Sequence, residues 1–494
     1  MQRVIDAHGS RMLDRYIIKN KYSSINKLID LVGSEIYRFM LSKFKNIKNK
    51  KILVVAGKGN NGSDAISSHS IFIKNRLKSD LFITDSINQK ETLLRYSVQS
   101  YFKDFNKLNL LEYDIIIDGI FGIGINREIL SDDLLSIIKN INKEKNRCTI
   151  ISIDIPSGTC ATSGYNFNSI IADITLAITY PKLGSFIKDG ITNTGELISL
   201  NIKFPNYKKI IDYPILLNQN DIKKICLSDT NYKKWLSNRK TANKYTNGVT
   251  VLASNSKDIN EYPGANILSQ DAIISTGVGV SYHFVHDLST NLFDISLSIP
   301  ESIFINRVGN KLLNKINSVL IRDKDSFLLD TNIPKVCDGA AISAISNHKS
   351  IRNTVFTPHI GEFLKYFDIN KQDYESEPLS VYKHIIKTKI NDNIIIVKGP
   401  NTFILSSKGI YIIDFGKSIL ASAGTGDILS GIITSLLSKQ LSLLNASLIG
   451  VAIHSVASIL YYEKISNASF RSRSLLNFIP EAFSILFKKK QNIH

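Results

Sequence analysis

The sequence predicts an α/β protein with two consecutive doubly wound domains, assigned to residues 1–220 and 225–494. Two series of short strands rich in β-branched residues, mostly separated by segments of helical length, predict the two parallel sheets. The length of 494 residues supports the division, because single hydrophobic cores rarely grow beyond about 250–300 residues. Glycine-rich and acidic loops directly after several strands place candidate binding crevices at the sheet edges.

The first domain is predicted to begin with an amphipathic helix over residues 20–46, where apolar side chains recur with a 3.6-residue period. Alternating strands and helices follow. Because ligands of such sheets bind beyond the carboxyl ends of the strands, the loops opening at Gly57, Asp118 and Asp154 should converge on one crevice. The predicted strands are 51–55, 80–84, 113–118, 149–154 and 173–178.

The second domain follows a polar stretch. Residues 205–245 contain many turn-forming residues and are interpreted as the domain junction. The next strand series ends in a hairpin over 402–405 and 409–413, and two apolar-faced helices, 425–438 and 442–462, close the domain. The predicted strands before the hairpin are 249–252, 318–321, 336–337, 355–356 and 394–397.

The composition is that of an ordinary globular protein with a formal net charge of +18. Clustered Lys and Arg would indicate nucleic acid or an anionic membrane, but these residues are spread over the whole chain. Biased genome composition is the simpler explanation, so neither partner is predicted. The N-terminus is charged and lacks the apolar run of a signal peptide, so export is not predicted. The apolar runs 115–125 and 419–437 contain Asp118 and Asp427, so neither is predicted to span a membrane.

The four cysteines are too far apart for CxxC-type metal or redox spacing and too few to cross-link a chain of this length. A reducing compartment, and therefore the cytoplasm, is predicted. The cysteines are Cys148, Cys160, Cys226 and Cys337.

A first group of motifs lies in the N-terminal domain. The loop Gly57–Asp64 joins a strand to a helix and presents backbone N–H groups of the kind that bind phosphate. Its spacing fits neither a P-loop nor a complete dinucleotide fingerprint. The runs Asp118–Gly124 and Asp154–Gly158 follow two further strands, so that three strand ends offer oxygen ligands together.

The three runs Asn60–Asp64, Asp118–Gly124 and Asp154–Gly158 resemble, in this order, the motifs of the NAD(P)H-hydrate epimerase family, over roughly residues 10–215. The resemblance implies a Rossmann-like domain acting on reduced nicotinamide that has gained water across its 5,6 double bond. It further implies that Asp154 is the catalytic acid/base and that K⁺ is bound by Asn61, Asp118 and Ser157. The implied dinucleotide contacts are Asn60, Asn61, Gly62, Ser63, Asp64, Gly122, Ile123, Gly124, Ile125 and Asn126.

This first group departs from the family at two positions. Ser63 and Ala65 stand where the family usually has glycine. Because Ser and Ala are small, we expect tuned affinity and not abolished binding, although a position that needs positive φ would resist alanine.

A second group of motifs lies in the C-terminal domain. The run Ala423–Asp427 precedes an apolar helix, so backbone N–H groups point at an anion and Asp427 could deprotonate an attacking hydroxyl. Together with Tyr262–Ala265, Thr357–Glu362 and Lys398–Thr402, this run resembles the ribokinase-like ADP/ATP-dependent NAD(P)H-hydrate dehydratases over about residues 225–490. In that family the S hydrate is phosphorylated at its hydroxyl and then loses phosphate.

The second resemblance implies Asp427 as the catalytic base and Mg²⁺ bound with ADP or ATP. It implies that the hydrate contacts Ala265, His359 and Asp427. The implied nucleotide contacts are Lys398, Gly399, Pro400, Asn401, Thr402, Gly424, Thr425 and Gly426.

Two departures affect this second group. Residues 321–326, Ile-Arg-Asp-Lys-Asp-Ser, replace a GPGLG-like turn, so that charged side chains stand where the family has close-approach glycines. The run Asp338–Ile342 keeps the first carboxylate of a DADAL-like strand end and lacks the second, with Ala340 in between. Loss of one acid from a magnesium–phosphate site is expected to slow phosphoryl transfer without preventing binding.

The favoured interpretation is a bifunctional repair enzyme that epimerises NADH or NADPH hydrate and dehydrates the S form at the expense of ADP or ATP. Three alternatives stay open: an active epimerase joined to an impaired dehydratase, a ribokinase-like kinase of small molecules, and a non-catalytic nucleotide- or RNA-binding scaffold. By analogy with both families, a homo-oligomer is expected.

Overall fold

The computed structural model describes residues 1–85, 87–129, 131–202, 208–237, 242–254, 263–285, 298–347, 351–466 and 468–487. The chain divides into two compact units. The N-terminal unit comprises Gln2–Pro214 and Glu375–Pro378, and the C-terminal unit comprises Met1, Ile215–Tyr374 and Leu379–His494. The division thus falls just before residue 215, a few residues ahead of the expected boundary.

The sheet of the N-terminal unit is parallel throughout its described strands. Alternate residues of the strand Lys51–Ala56 enter different cores: Ile52 and Val54 pack with one helical layer, and Leu53 and Val55 pack with the other. Helices therefore cover both faces, which confirms the doubly wound prediction. In spatial order the strands are Lys78–Ile83, Lys51–Ala56, Ile115–Gly119, Thr149–Ile153, Ile174–Ala177 and Glu196–Ser199.

The helix predicted over residues 20–46 begins at Ile25 and ends at Lys43, and a second helix, Ala7–Lys19, precedes it. Ser24 and Asp6 cap these two helices by accepting backbone N–H groups of the first turn. A two-residue strand, Gln2–Arg3, precedes both. The other helices of this unit are Asn60–Lys74, Lys90–Arg95, Asp132–Lys143 and Gly190–Thr194.

The sheet of the C-terminal unit is parallel except for the strand Thr402–Ser406, which pairs antiparallel with both of its neighbours. This strand and Gly409–Ile413 form the predicted hairpin. In spatial order the strands are Ile215–Leu216, Gly409–Ile413, Thr402–Ser406, Ile394–Val397, Thr354–Phe356, Lys335–Cys337, Ser318–Ile321, Val249–Ser254, Val280–Val285 and Ser302–Ile305.

Two long helices, Thr425–Ser438 and Leu443–Lys464, contribute much of the apolar core on one face of this sheet. The second is long and apolar enough to cross a membrane by composition, but most of its apolar window is buried inside the unit, as in a core helix of a globular domain. The remaining helices are Gln219–Ser228, Thr230–Ser237, Pro263–Ser275, Asn310–Leu313, Ala344–Asn347, Ile360–Tyr366, Lys371–Ser376, Pro378–Ile385 and Ile479–Phe487.

The interpretation of residues 205–245 as a junction is wrong for most of its length. A strand at Ile215 and two helices, Gln219–Ser228 and Thr230–Ser237, belong to the C-terminal unit, and Ile222 and Tyr232 enter its core. Asn218, one of the polar residues that suggested a linker, instead caps a helix, because it forms a capping box with Asp221. Three further turn-forming residues of this stretch, Pro205, Asn206 and Asn238, lie outside the described residues.

Candidate active sites

A cleft of about 1270 Å³ opens beyond the carboxyl ends of the strands in the N-terminal unit. All three predicted loops contribute to it or to the shell beneath it. The apolar wall includes Leu13, Ile29 and Phe105. The predicted site residues that line the cleft are Asn60, Asn61, Asp64, Gly122, Ile123, Gly124, Ile125, Asn126 and Asp154.

Asp154 lies directly after the strand Thr149–Ile153 and is 8% exposed. Its φ of +66° is in the left-handed region, which costs a non-glycine residue energy and is often retained at functional sites. One carboxylate oxygen, Oδ1, accepts hydrogen bonds from Ile178 N at 3.0 Å and from Lys182 Nζ at 2.5 Å. No described residue donates to Oδ2. Asp154 therefore has one anchored oxygen and one oxygen to which no described residue donates.

Lys182 was not predicted as a site residue, although it lies in the run Tyr180–Gly184 that follows the last predicted strand of this domain. It is 1% exposed and lines the cleft. The carbonyl of Tyr180 accepts a further hydrogen bond from Lys182 Nζ at 2.8 Å. The ammonium group is thereby fixed against Asp154.

The potassium ligands implied by the resemblance lie in one hydrogen-bonded group. Ser157 donates to Asp118 Oδ1 from its hydroxyl at 2.5 Å and to Oδ2 from its backbone N–H at 2.9 Å. Asn61 Nδ2 donates to Phe121 O at 2.8 Å, and Ser157 Oγ lies 3.2 Å from the same carbonyl. Asp118 and Ser157 are fully buried, so they lie beneath the cleft, whereas Asn61 lines it.

The oxygen atoms of this group are suitable ligands for a monovalent cation. Within the described residues, Asn61 uses only its Nδ2 in hydrogen bonds, so its Oδ1 stays available beside the carbonyl of Phe121 and the hydroxyl of Ser157. Burial raises the pKa of Asp118, and hydrogen bonds from Ser157 and Ser152 oppose that rise. A nearby cation would reduce the cost of burying this carboxylate.

Asp64 brings a further carboxyl group to the cleft. Burial, followed by the charges of Asp154 and Asp14, raises the pKa of Asp64 well above its ordinary value. Asp14 also lines the cleft. Asp64 is therefore a stronger base in the folded protein than a carboxylate in water.

Gly62 and Ser63 are buried in the first turn of the helix Asn60–Lys74 and do not line the cleft. A Cβ at Gly62 would lie 1.9 Å from Gly57 O, so glycine is required there for close packing. Ser63 Oγ donates to Gln89 Oε1 at 3.0 Å, and Gln89 Nε2 donates to Gly57 O and to Gly59 O at 2.8 and 3.0 Å. Ser63 thus holds Gln89 in place, and Gln89 in turn binds two carbonyls of the glycine loop.

Ala65 is also helical and buried, with no positive φ. The expected conflict between alanine and a left-handed backbone therefore does not arise at this position. The Ala65 methyl group instead packs close to Gly119: a Cβ added at Gly119 would lie 2.6 Å from Ala65 Cβ.

The second candidate site lies in the C-terminal unit, around the start of the helix Thr425–Ser438. Asp427 Oδ1 accepts a hydrogen bond from Arg322 Nη1 at 2.6 Å. The same Nη1 lies 3.4 Å from Asp338 Oδ2, and Lys398 Nζ lies 3.2 Å from Asp338 Oδ1. These four residues lie in runs that the sequence indicates, but spacing does not predict the contacts among them. The sequence predicts Arg322 only as a replacement for a residue of the family's glycine-rich turn.

The loop before this helix takes the form expected of an anion site. Gly424 has a φ of +90°, and a Cβ there would lie 2.5 Å from Leu268 Cδ1. Thr425 Oγ1 donates to Leu420 O at 2.7 Å and closes the turn. A Cβ at Gly426 would lie 3.2 Å from Lys398 Nζ, so the ammonium group adjoins the helix N-terminus.

The other predicted nucleotide and hydrate contacts lie in two further segments of this unit. Gly399, Pro400 and Asn401 form the turn between the antiparallel strands Ile394–Val397 and Thr402–Ser406, with Lys398 before this turn and Thr402 after it. Ala265 is half-buried in the first turn of the helix Pro263–Ser275. Tyr262 lies outside the described residues.

His359 has a clear structural role. It caps the helix Ile360–Tyr366, because its Nδ1 accepts from Gly361 N at 3.0 Å, and its backbone N–H donates to Glu362 Oε2 at 2.9 Å. Its backbone is bridged to Lys398, which brings the two predicted runs together. The side chain is 63% exposed, and its Nε2 lies 3.6 Å from Glu362 Oε2.

The carboxylates of this site determine how Mg²⁺ could bind here. Among the described residues, no group of three or more His, Cys, Asp or Glu side chains could hold a metal. Asp338 and Asp427 are both paired with Arg322. These residues fit Mg²⁺ that enters on the phosphates of a nucleotide, a common mode for this ion, better than a free ion.

Comparisons with known families agree with the two-unit architecture. Residues 25–184 match the family described as YjeF-related protein N-terminus. Residues 259–481 match the NAD(P)H-hydrate dehydratase family. The first match lies within the N-terminal unit, and the second lies within the C-terminal unit except for residues 375–378.

Curated relatives contain both regions in one chain. The bifunctional NAD(P)H-hydrate repair enzyme Nnr of Dictyoglomus turgidum is 27% identical over 505 residues, covering 94% of this chain and 95% of the relative. The enzyme of the same name from Escherichia coli is 23% identical and covers 90% of this chain and 88% of the relative.

Among solved structures, the ADP/ATP-dependent NAD(P)H-hydrate dehydratase of Bacillus subtilis, co-crystallised with ATP and Mg²⁺, is 18% identical, with a TM-score of 0.45. The match covers 55% of this chain and 98% of that one. With two family matches in order and full-length relatives that share them, the chain belongs to the bifunctional NAD(P)H-hydrate repair enzymes.

Proposed function

We propose that the chain performs both steps of NAD(P)H-hydrate repair, with epimerisation in the N-terminal unit and ADP- or ATP-dependent dehydration of the S epimer in the C-terminal unit. The family assignment supports the pair of activities. The observation that carries the residue assignment is Asp154, whose carboxylate has one oxygen fixed by Lys182 and the other oxygen without a described donor at the cleft.

For epimerisation, Asp154 is proposed to be the general acid and base. The hydrate carries its hydroxyl on C6 beside the ring nitrogen, so reversible loss and return of this group inverts the centre. Asp154 protonates the departing oxygen and takes the proton back when water returns from the other side. The pair of Asp154 and Lys182, whose Oδ1 and Nζ lie 2.5 Å apart, is proposed to supply the proton that this step needs. The dinucleotide lies along Asn60, Asp64 and Gly122–Asn126.

K⁺ is proposed as the resident ion of the N-terminal unit, held by Asn61, Asp118 and Ser157. Its contribution when bound is positive charge that stabilises the buried Asp118 carboxylate. Asn61 and Ser157 both contact Phe121, and Phe121 lies in the cleft wall. An ordered group at this point therefore fixes the loop that continues through Gly122.

For dehydration, Asp427 is proposed to accept the proton of the hydrate hydroxyl as its oxygen attacks the terminal phosphorus of the nucleotide. The resulting phosphate ester then loses phosphate, which is a better leaving group than water. Lys398, Gly424, Thr425 and Gly426 surround the phosphates, and Mg²⁺ bound to these phosphates neutralises part of their charge. Ala265 and His359 are proposed to contact the hydrate, and residues 399–402 the nucleotide.

The test uses the full-length protein with separately purified R and S hydrates. With nucleotide and Mg²⁺, the wild type should convert both epimers to reduced cofactor, measured by absorbance of the reduced nicotinamide. Asp154→Asn should convert S but lose enzymatic conversion of R, and Asp427→Asn should interconvert the epimers without forming reduced cofactor. Asp392→Asn, at an exposed site, is the matched control. A wild type that changes neither epimer would refute the proposal.

The wider setting is also a proposal. The cysteines Cys148, Cys160, Cys226 and Cys337 are free and buried, which supports a reducing compartment and hence a cytoplasmic location. The substrates are small molecules, and no nucleic acid is proposed as a partner. A homo-oligomer is proposed by analogy with the two families.

A further inference from the structure

The charged segment 321–326 brings an arginine into the dehydratase site. Arg322 follows the strand Ser318–Ile321, and its guanidinium group spans the gap to the start of the helix Thr425–Ser438. Nη1 donates to Asp427 at 2.6 Å. The exposed fractions of the two side chains are 13% and 16%, so the pair is shielded from most of the solvent.

The guanidinium group is itself held in place. Asp338 Oδ2 lies 3.4 Å from Arg322 Nη1, while Asp338 Oδ1 accepts from Thr357 Oγ1 at 2.8 Å and from Lys398 Nζ at 3.2 Å. A Cβ at Gly339 would lie 3.5 Å from Arg322 Nη2, an ordinary van der Waals distance, so the guanidinium group also adjoins this residue. Two cations and two carboxylates thus form a connected network with no formal net charge.

The contact leaves part of Asp427 unused. Arg322 occupies Oδ1, and in the part of the chain that the structure describes no group donates to Oδ2. An inhibitory clamp would be expected to occupy both oxygens of the base, as in a bidentate arginine–carboxylate pair. The observed contact fixes the orientation of the carboxylate and still leaves an acceptor for the proton of a hydroxyl.

The electrostatic surroundings agree with this geometry. Burial and the charge of Asp338 raise the pKa of Asp427, and Arg322 opposes that rise. Lys398 opposes it more weakly. Without Arg322, two neighbouring carboxylates would share the site with Lys398 alone.

We propose that Arg322 is a positioning residue for dehydration: it fixes Asp427 through Oδ1 and balances its charge, so that Oδ2 takes the proton of the hydrate hydroxyl. The inference rests on the proposed function of Asp427. In the step served, the O–H bond breaks, the oxygen forms a bond to the terminal phosphorus, the shortened nucleotide leaves, and the proton passes to Asp427. The charged segment 321–326 is therefore a working replacement for a glycine-rich turn.

The test compares full-length Arg322→Met, Arg322→Lys and Arg322→Gly with the wild type, using the S hydrate, ATP or ADP, and Mg²⁺. Loss of a hydrogen bond to a charged group predicts a fall in kcat of about 10- to 100-fold for Arg322→Met, with a smaller change in the KM for nucleotide. Arg322→Lys should recover part of kcat. Added guanidinium ion, at concentrations that leave the wild type unaffected, should partly restore Arg322→Gly, which a purely structural role would not predict.

Two controls separate catalysis from folding. Arg352 is an exposed arginine at the amino end of the strand Thr354–Phe356, whereas Arg322 follows the carboxyl end of a parallel strand, and Arg352→Met should retain wild-type dehydration. Epimerisation of the R hydrate, an activity of the other unit, should be unchanged in every Arg322 variant. Thermal unfolding of each variant shows whether the C-terminal unit still folds.

Three outcomes would overturn the inference. Wild-type kcat in Arg322→Met would show that Asp427 needs no such partner. Faster dehydration by Arg322→Gly than by the wild type would show that the pair is an inhibitory clamp. If neither the wild type nor any variant dehydrates the S hydrate while epimerisation persists, the proposed dehydratase function itself is wrong, and the inference falls with it.

Discussion

The ammonium nitrogen of Lys182 lies 2.5 Å from Oδ1 of Asp154, and both residues are buried at the cleft of the N-terminal unit. The C-terminal unit repeats this arrangement with different residues, since Arg322 Nη1 lies 2.6 Å from Oδ1 of Asp427. In each case a cation anchors one carboxylate oxygen and the described residues leave Oδ2 without a donor. The two sites therefore hold an aspartate in the same way.

Replacement of Lys182 by methionine should impair epimerisation. Without the ammonium group, Asp154 loses its anchor and its nearest proton donor, and kcat should fall about 100-fold or more, within the range of general acid–base effects. Breaking a buried ion pair also costs about 3–5 kcal/mol, so a lower unfolding midpoint is expected. Rates on R hydrate, with the exposed Lys74→Met as control, check the prediction. Wild-type epimerisation by Lys182→Met would contradict it.

The left-handed backbone of Asp154 gives a prediction about stability. Asp154→Gly and Asp154→Ala both remove the carboxylate, and they differ only by the Cβ at a φ of +66°. Glycine adopts this conformation without steric penalty, whereas alanine pays about 1 kcal/mol or more. Asp154→Gly should therefore unfold at higher temperature than Asp154→Ala, although both are inactive in epimerisation. Equal midpoints in circular dichroism melts would show that the backbone is not strained.

Much of the fold could be predicted because buried parallel strands read as continuous apolar runs. Ile394–Val397 and Ser318–Ile321 have the bounds that the sequence indicated. The missed strands of more than two residues lie at or next to sheet edges, namely Glu196–Ser199, Val280–Val285 and Ser302–Ile305. Such strands carry polar residues such as Glu196 and His283, so their sequences lack the apolar run of a central strand.

The site could be predicted only in part. The resemblance and the strand-end rule indicated Asp154 and Asp427, because these residues lie in recognisable runs after strands or before a helix. Their cationic partners could not be predicted from spacing. Lys182 and Arg322 are separated from their aspartates by 28 and 105 residues, and only the folded backbone brings them within hydrogen-bond distance.

Ser63 provides a test of how the glycine loop is supported. Ser63→Gly restores the residue usual in the family but removes the hydrogen bond to Gln89 and adds glycine to a helix, which together should cost about 1–2 kcal/mol of stability. Because Gln89 then holds the carbonyls of Gly57 and Gly59 less firmly, the KM for hydrate should rise several-fold with little change in kcat. Steady-state epimerisation measures both constants, and an unchanged KM would refute the supporting role.

Three buried histidines predict a loss of stability in mild acid. Burial lowers the pKa of His69 and of His454 to about 4 and that of His283 to about 3. Between these values and the ordinary pKa near 6.5, the unfolded chain binds protons that the folded chain does not, so stability decreases as pH falls. Within that window the loss approaches about 1.4 kcal/mol per pH unit for each histidine.

Replacing one of these histidines checks the sign of this effect. His69 is bonded to Ser79 by an Nδ1 to Oγ contact of 2.8 Å in the N-terminal unit. His69→Asn should lower stability at pH 7 but flatten the decline between about pH 6.5 and 4. Unfolding midpoints measured across this range, with the exposed His384→Asn as control, give the slopes. Parallel slopes for both variants and the wild type would exclude His69 as a contributor.

Asn61 tests the proposed potassium site. Asn61→Leu removes the Oδ1 oxygen and the Nδ2 donor to Phe121 at 2.8 Å, so both cation binding and the order of the loop at Gly122 should suffer. Wild-type protein should unfold at a higher temperature in K⁺ than in Li⁺ at equal ionic strength, because an ion that binds only the folded state stabilises it. Asn61→Leu should show no difference between the two salts and should epimerise slowly in both. The exposed Asn75→Leu, at the end of the same helix, should keep the potassium dependence of the wild type. If wild-type midpoint and rate are the same in both salts, the site holds no functional K⁺, and Asp118 is stabilised by its hydrogen bonds alone.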